Sequence, residues 1–316
     1  MIVLCGDVGG TNTRLALADV AINRVRLREV ARYRNADVQS LDQLLRAFLQ
    51  GRSRPQAACL AVAGPTDGRR VRLTNLDWVI DAAAITADTG IPKVRLVNDF
   101  AAVGFGLGVL DEAGRVVLQT GSPVAHAPRL ALGPGTGLGV VQTAWCEGRY
   151  QAIASEGGHI SFAPADAQQD RLLASLRPVF GRVSVERILS GPGLMRLYRF
   201  CLQETGADPR LATPDSAAIT EAALRGSDPP ALAALRLFCR ILGQTAGDLA
   251  LVAQCEGGVY LAGGIVPKIL PILQGEDFLA GFHDKGRFSD WMRRLPVYVV
   301  LDEDVGLKGA ALAAVT

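Results

Sequence analysis

Two glycine-rich turns, each flanked by apolar runs, constrain the fold of this chain more than any other feature. The first turn, DVGGTN, covers residues 7–12 just after the apolar run IVLC. The second, GPGTG, covers residues 133–137 within the stretch RLALGPGTGLGVV. Each pattern predicts a strand, a glycine turn and a second strand. Because the two hairpins lie about one domain apart in a chain of 316 residues, they indicate two related α/β lobes.

Apolar periodicity predicts that strands and helices alternate along the rest of the chain. Ser40 is the expected N-cap of the first helix. The predicted strands cover residues 2–7, 14–20, 24–34, 57–64, 93–97, both arms of 129–145, 257–264 and 296–302. The predicted helices cover residues 41–49, 81–90, a segment from Asp99, 166–177, 192–205, 215–225, 230–254, 267–274 and 306–315. The pattern predicts an α/β protein with a linker near residues 108–114.

The glycine turns do not match the three common phosphate-binding loops. A Walker loop ends in Lys followed by Ser or Thr, and no lysine of this chain has that context. The dinucleotide fingerprint needs glycines at relative positions 0, 2 and 5, and no trio fits. The protein-kinase glycine loop and its HRD motif do not occur either. What remains is a turn between two strands.

A glycine turn between strands can still bind an anion. Its consecutive backbone N–H groups can face a phosphate, and small residues permit close approach. Thr11, Asn12 and Thr136 add side-chain donors, and Asp7 could hold Mg²⁺ through water. The alternative is that both turns merely close hairpins. Two such turns, one directly preceded by an aspartate, favour nucleotide binding.

Asn98 and Asp99 stand where a predicted strand ends and a helix begins. Ligand-binding groups collect at the carboxyl ends of strands in α/β folds. Either residue could simply cap the helix. The pair also offers a carboxylate base beside an amide that can orient a hydroxyl, which phosphoryl transfer to an alcohol requires.

Three further polar residues lie close to glycines in two short motifs. Glu156 and His159 enclose two glycines in EGGH, and Glu186 precedes SGPGL. Because the chain has three histidines and no cysteine near this motif, a structural zinc site is not expected. The side chains could read sugar hydroxyls, or serve only as turn and first-turn helix residues. Gly263 and Gly264 could likewise border a nucleotide or form a plain strand–helix junction.

Composition narrows the partners and the compartment. The formal net charge is +2, so nothing indicates binding to nucleic acid or to an acidic membrane. The six cysteines are widely spaced, which is typical of buried thiols in a reducing compartment. No apolar run reaches the ~20 residues of a membrane span, and no signal peptide is evident. A cytoplasmic protein is expected.

The motifs DVGGTN, VNDF, GPGTGLGV, EGGH, VERILSGPGL and LAGGI occur in this order, and together they resemble the bacterial glucokinases. These are ATP-dependent hexose kinases of the actin-like ATPase superfamily. The resemblance runs from residue 3 to about residue 312; EGGH and ERILSGPG are its most specific parts. It implies a two-lobed actin-like ATPase (ribonuclease H-like) fold with an active-site cleft between the lobes. The implied small α/β domain is 1–109 plus 303–316, and the large one is 110–302.

The resemblance also implies a reaction and assigns residues to it. Glucose would be phosphorylated at its 6-hydroxyl by ATP with Mg²⁺, giving glucose 6-phosphate and ADP for glycolysis. Asp99 matches the general base, and Asp7 matches the magnesium-organising acid. The implied sugar-binding residues are Asn98, Asp99, Glu156, His159 and Glu186. The implied nucleotide-binding residues are Asp7, Val8, Gly9, Gly10, Thr11, Asn12, Gly135, Thr136, Gly137, Gly263 and Gly264.

One departure separates this chain from the related repressor–kinases. Those proteins carry clustered cysteines that bind zinc after the EGGH-like turn, whereas SFAPADAQQD follows His159 here. The chain thus resembles the zinc-free branch, whose members commonly form homodimers. Two alternatives stay open: a kinase for another hexose or an amino sugar, and a non-catalytic actin-like nucleotide switch.

Overall fold

The computed structural model describes residues 1–22, 24–64, 66–73, 76–211 and 214–316, which form two compact units. The first comprises Met1–Gly114, Thr143–Ala154 and Asp302–Thr316, and the second comprises Arg115–Gln142 and Ser155–Leu301. The sequence-based division placed residues 143–154 in the large domain. In the structure they belong to the first unit, where Ala152 packs against a core cluster of that unit.

The elements alternate largely as the apolar periodicity predicts, so the α/β class is confirmed. The strands are β1 (Ile2–Val8), β2 (Asn12–Ala21), β3 (Arg24–Arg34), β4 (Ala57–Val62), β5 (Arg70–Arg72), β6 (Val79–Asp81), β7 (Val94–Asn98), β8 (Arg115–Gln119), β9 (Arg129–Pro134), β10 (Leu138–Cys146), β11 (Arg149–Ser155), β12 (Val259–Leu261) and β13 (Val297–Val300). The helices are α1 (Leu41–Leu49), α2 (Ala82–Thr89), α3 (Asp99–Gly106), α4 (Ala167–Phe180), α5 (Gly191–Thr205), α6 (Ser216–Leu224), α7 (Pro229–Ala253), α8 (Leu270–Leu273), α9 (Glu276–His283), α10 (Ser289–Arg294) and α11 (Val305–Ala313).

The main sheet of the first unit has the order β3-β2-β1-β4-β7. β1, β2 and β3 are antiparallel neighbours, whereas β1, β4 and β7 run parallel. Because helices cover both faces of the parallel part, every residue of β4 is buried. Leu4 and Leu15 face the cluster that includes α1, and Val3 and Ala16 face the cluster that includes α3 and α11.

Local capping fixes where several helices begin and end. The Ser40 side chain accepts a hydrogen bond from the Gln43 backbone N–H, which confirms the predicted N-cap of α1. The Asp81 side chain caps α2 through the N–H groups of Ala83 and Ala84. Gly90 ends α2 at φ 68°, a left-handed conformation that glycine adopts without strain.

Helices α3 and α11 pack so closely that two glycines are required at their contact. A Cβ on Gly309 would lie 1.7 Å from the carbonyl oxygen of Ala102. A Cβ on Gly106 would lie 2.1 Å from the carbonyl oxygen of Val305. Both distances are far below van der Waals contact. The close packing of α3 against α11 on this face of the sheet therefore requires glycine at both positions.

The variant Gly309→Ala is expected to destabilise the protein by about 1–3 kcal/mol, because the added methyl forces α11 away from α3. Gly306→Ala in the same helix is the matched control: no atom lies within 4 Å of its Cβ position. Its effect is expected to be neutral or stabilising by up to about 1 kcal/mol, since alanine favours helix. Thermal unfolding followed by circular dichroism measures both, and equal melting temperatures would contradict the proposed contact.

The second sheet has the order β11-β10-β9-β12-β13-β8. β9, β12 and β13 are parallel, and β8 is antiparallel to β13. The 25-residue helix α7 lies in the core of the second unit, and more than half of its residues are buried. Proline shortens the predicted helix 267–274: a 3-10 turn covers Val266–Ile269 and only α8 follows, because Pro267 and Pro271 lack the N–H that a helix needs.

Five of the six cysteines are buried, as expected, but Cys146 at the end of β10 is exposed. Burial raises the pKa of the Cys59 thiol to about 12 and that of Cys201 to about 11, so these two stay protonated. Among the described residues, no helix combines the length and the apolarity needed to cross a membrane.

Candidate active site

The first glycine turn joins β1 to β2 and leaves its polar side chains exposed. The Gly9 N–H donates to the Asn12 carbonyl at 3.0 Å, which closes the turn. Thr11 and Asn12 are exposed, as an anion site requires. The Val8 side chain is fully buried in the core, so only its backbone could meet a ligand.

A buried asparagine, which the sequence did not point to, holds this turn in place. Asn35 is 3% exposed and begins the 3-10 turn after β3. Its Nδ2 donates to the Gly9 carbonyl at 2.8 Å, and its backbone N–H donates to the Thr11 carbonyl at 2.9 Å. Its Oδ1 accepts from Thr13 Oγ1 at 2.8 Å. Three bonds from one residue fix both arms of the turn, so Asn35 positions the turn without facing its open side.

Asp7 lies at the carboxyl end of β1 beside two arginines. It pairs across the sheet with Arg14, which in turn pairs with Arg32. Burial raises the pKa of the Asp7 carboxyl, while the positive charges of Arg14 and Arg32 oppose that shift. Arg14 also forms an ion pair with Asp304. A partly desolvated carboxylate at a strand end gains from a nearby cation, and this fits water-mediated Mg²⁺.

Asn98 and Asp99 lie at the same edge of the sheet as Asp7. The register pairs Val8 with Val62, and Val62 with Asn98, so β1, β4 and β7 end together. The Asn98 Oδ1 caps α3 by accepting the N–H groups of Phe100 and Ala101, at 2.9 and 3.1 Å. Asn98 is therefore the N-cap of α3. Its amide Nδ2 also donates a hydrogen bond to the Gly64 carbonyl at 3.3 Å.

Asp99 is exposed in the first turn of α3. Its Oδ1 accepts the Phe100 N–H at 2.8 Å, which orients the carboxylate at the helix N-terminus. The structure therefore joins a glycine turn, a half-buried acid and an exposed acid at one sheet edge of the first unit.

The second glycine turn lies between β9 and β10 in the second unit. Its backbone closes on itself through the Gly135 N–H, which donates to the Gly137 carbonyl at 2.8 Å. The Gly191 N–H at the start of α5 donates to the Gly135 carbonyl at the same distance. A Cβ on Gly135 would meet no neighbouring atom within 4 Å, and Thr136 is exposed. A ligand can approach this backbone directly.

The EGGH segment packs directly against the start of β10. It forms a single 3-10 turn over Gly157–His159, in accordance with the tight turn that its glycines predict. A Cβ on Gly158 would lie 2.2 Å from the Leu138 carbonyl, and one on Gly157 would lie 3.0 Å from a Val140 methyl. The two glycines therefore let EGGH lie against the strand that leaves the second glycine turn.

Glu186 connects the EGGH segment to the second glycine turn. Its Oε2 accepts the Leu138 N–H at 3.0 Å, and its Oε1 lies 3.9 Å from His159 Nδ1. The other ring nitrogen, Nε2, lies 3.9 Å from Glu156 Oε2. A Cβ on Gly137 would lie 2.5 Å from Glu186 Oε2, so a larger residue here would displace the carboxylate from the turn. The structure thus gathers three polar residues from two separate sequence motifs, EGGH and VERILSGPGL.

Gly263 and Gly264 follow β12, which is parallel to β9 with Leu261 opposite Leu132. They therefore lie at the same sheet edge as the second glycine turn. Gly263 has φ +83°, and a Cβ there would lie 2.7 Å from the Pro134 carbonyl, so its packing requires glycine. Gly264 is exposed with open space at its Cβ position. Gly263 is exposed too, so a ligand can approach the backbone of both glycines.

Among the described residues, no group of three or more His, Cys, Asp and Glu is arranged to hold a metal ion. The single carboxylate of Asp7 could hold Mg²⁺ through water together with substrate phosphates.

Comparison with known proteins identifies the family. The sequence profile of the family described as Glucokinase matches residues 4–316. A curated glucokinase of Yersinia enterocolitica is 40% identical over 310 residues, which cover 97% of this chain and 94% of that protein.

Solved structures agree with this match. A glucokinase from an Antarctic psychrotroph has a TM-score of 0.90 and 33% identity, covering 99% of this chain and 98% of that one. A ROK family glucokinase from Streptomyces griseus has a TM-score of 0.65 and 20% identity, covering 99% of each chain, and shows likeness of fold. These likenesses confirm the predicted actin-like ATPase (ribonuclease H-like) fold. The chain belongs to the glucokinase family.

Proposed function

We propose that the protein transfers the γ-phosphoryl group of ATP to the 6-hydroxyl of D-glucose, forming glucose 6-phosphate and ADP. The observation that carries the proposal is the shared sheet edge of the first unit: Asp99 follows β7, two strands away from β1, which carries Asp7 and leads into the first glycine turn. A carboxylate base and a phosphate-binding turn are the two parts that such a transfer needs. The Streptomyces griseus relative was solved with glucose and AMPPNP, which supports the same ligands here.

In this proposal the hydroxyls of the sugar are read by side chains that can both donate and accept. Glu156 and Glu186 accept, His159 can do either, and the second N–H of the Asn98 amide donates, since only its bond to Gly64 is seen among the described residues. Glu156 and His159 are more than half exposed, so they are available to a ligand. A wrong epimer would leave buried polar groups unpaired, at a cost of about 1–3 kcal/mol each.

Asp99 takes the proton of the 6-hydroxyl while the oxygen forms its bond to the γ-phosphorus. The bond from that phosphorus to the β,γ-bridging oxygen breaks, and ADP leaves. The two glycine turns, 9–12 and 135–137, donate to the phosphates through backbone N–H groups other than those of Gly9 and Gly135, which close the turns. Bound Mg²⁺ supplies positive charge against the phosphate oxygens, and Asp7 is the residue that would hold it. Gly264 would border the adenosine.

A sugar panel tests the proposal most directly. Purified protein is assayed with ATP and glucose, mannose, fructose, glucosamine or N-acetylglucosamine, and ADP release is measured by a coupled assay. We expect the highest kcat/KM with glucose. A higher kcat/KM with mannose or an amino sugar would show that the protein is a kinase for that sugar instead. Slow ATP hydrolysis that no sugar changes would favour the nucleotide-switch alternative.

A homodimer in the cytoplasm is part of the same proposal. It rests on the resemblance to the zinc-free glucokinases. Sedimentation equilibrium of the purified protein measures the oligomeric state, and a monomer at all concentrations would remove the dimer from the proposal.

A further inference from the structure

A surface depression between α4 and α5 combines an apolar wall with a basic rim. Its volume is about 260 Å³. Val179, Phe180 and Phe200 form the wall, and Arg196, Arg199 and Gln203 form the rim. Val179 is 71% exposed, although most large aliphatic side chains of this unit are buried. None of these residues takes part in the proposed kinase site.

Two arginines line this depression, and a third, Arg187, packs on the ring of its Phe180. The guanidinium carbon of Arg196 lies 4.8 Å from the centre of the Phe180 ring, and that of Arg187 lies 4.5 Å from the same centre. The Arg196 Nη1 donates to the Arg187 carbonyl at 2.9 Å, which fixes this guanidinium. Arg199 follows Arg196 on the same helix face, one turn further along α5.

Among the residues that the structure describes, no carboxylate is paired with these three arginines. Elsewhere in this unit arginines are paired, for example Arg171 with Glu204 at 2.5 Å. Within the described ranges, no ion pair is formed by Arg187, Arg196 or Arg199. The pKa of Arg196 is lowered, first by its partial burial and then by the positive charges of Arg187 and Arg199. The fold therefore holds like charges together, and an anion would relieve their repulsion.

We propose that Phe180, Arg187, Arg196 and Arg199, here named the Arg196 site, bind a small organic anion: a phosphate or carboxylate group carried on an apolar or aromatic body. Guanidinium groups bind the oxygens of both anions in pairs. The apolar wall contacts the body of the ligand. The volume is slightly below that of common ligand pockets, so the ligand is smaller than a nucleotide.

A small molecule fits the Arg196 site better than a protein partner does. A stable protein interface covers about 800 Å² on each side, whereas this depression is confined to parts of two helices, α4 and α5. Arg187 and Arg196 are held by contacts to one ring and one carbonyl, so little ordering of these two side chains opposes the binding of a compact anion.

Calorimetric titration tests the site with three probes at low ionic strength: phenyl phosphate, benzoate and inorganic phosphate. AMPPNP is present in excess so that the proposed nucleotide site is filled. The test variant is Arg196→Gln with Arg199→Gln. The matched control is Arg24→Gln with Arg26→Gln, which removes the same charge from exposed positions of β3 in the first unit.

The unmodified protein is expected to bind phenyl phosphate or benzoate at least about tenfold more tightly than inorganic phosphate, because only the first two reach the apolar wall. The test variant is expected to lose about tenfold or more in affinity, and the control less than about twofold. A preference between phenyl phosphate and benzoate identifies the anionic group. Arg199→Gln alone, an exposed position, is expected to weaken binding about threefold even if the double variant folds poorly.

Equal affinity in the unmodified protein, the test variant and the control would overturn the proposal, as would the absence of binding to the unmodified protein. An equal loss in the test variant and in the control would show general charge attraction and would also overturn it. Thermal unfolding of each variant checks that the loss is not caused by misfolding. None of these outcomes depends on glucose phosphorylation, so the proposed function and the Arg196 site fail separately.

Discussion

Replacing Asp99 with asparagine is expected to lower the turnover number by about 10²–10⁴-fold while glucose binding persists. The asparagine side chain keeps an oxygen for the Phe100 N–H, so the 2.8 Å contact at the start of α3 is preserved. It cannot take the proton of the 6-hydroxyl, because a neutral amide is not a base at neutral pH. Turnover is measured by coupled ADP release, and glucose binding by calorimetry.

Asp111→Asn is the matched control for this variant. Asp111 is an exposed carboxylate of the same unit, and its Oδ1 also accepts a backbone N–H, that of Gly114 at 2.8 Å. The control removes the same charge and keeps a comparable hydrogen bond, so its turnover is expected to match the unmodified protein. Turnover near the normal value in Asp99→Asn would remove Asp99 from the role of base. A large loss in Asp111→Asn would show that charge alone matters.

The parts of the candidate site that sequence predicted are those whose signal is local. Each glycine turn lies between two apolar strands, and strand periodicity is visible in a short window. Asn98 and Asp99 were placed at a strand end because an apolar run stops there, and the structure confirms that position. The cap formed by Asn98 is also local, since its partners are Phe100 and Ala101.

The parts that sequence missed depend on contacts between distant segments. Asn35 bonds Gly9 across 26 residues, and nothing in its local sequence separates it from an exposed loop asparagine. Short elements such as α10 were missed because six residues carry little periodicity. The strand predicted over 257–264 shrinks to β12, since its flanking glycines leave the extended conformation: Gly258 has φ +120° and Gly263 has φ +83°.

The link through Glu186 had no sequence signal at all. The residue lies 48 positions from Leu138, and only the fold shows that its carboxylate binds the N–H at the end of the second glycine turn. An assignment based on motifs alone therefore predicts that Glu186 binds only the sugar. The structure gives it two contacts, one on each carboxylate oxygen, and these predict different effects for different substitutions.

Glu186→Ala is expected to lower kcat/KM by about tenfold to about 100-fold and to raise the KM of both substrates. The variant leaves the Leu138 N–H without its partner, at a cost of about 1–3 kcal/mol, and removes the acceptor beside His159. Glu186→Gln keeps an oxygen for the Leu138 N–H, so we expect mainly the KM of glucose to rise. Initial rates measured over both substrate concentrations separate the two effects.

Gly137→Ala tests the same contact between Glu186 and the second glycine turn, because it changes the turn instead of the carboxylate. Its new methyl would lie 2.5 Å from Glu186 Oε2 and would displace the carboxylate from the turn, so this variant is expected to raise the KM of ATP as Glu186→Ala does. Glu221→Gln is the control, because Glu221 is exposed on α6 and pairs only with Arg225 among the described residues. If Gly137→Ala and Glu186→Ala change only the KM of glucose, Glu186 reads the sugar alone. If they raise the KM of ATP as well, one carboxylate positions both substrates. One oxygen of Glu186 holds the second glycine turn and the other faces His159. A displaced side chain therefore disturbs both the ATP site and the glucose site.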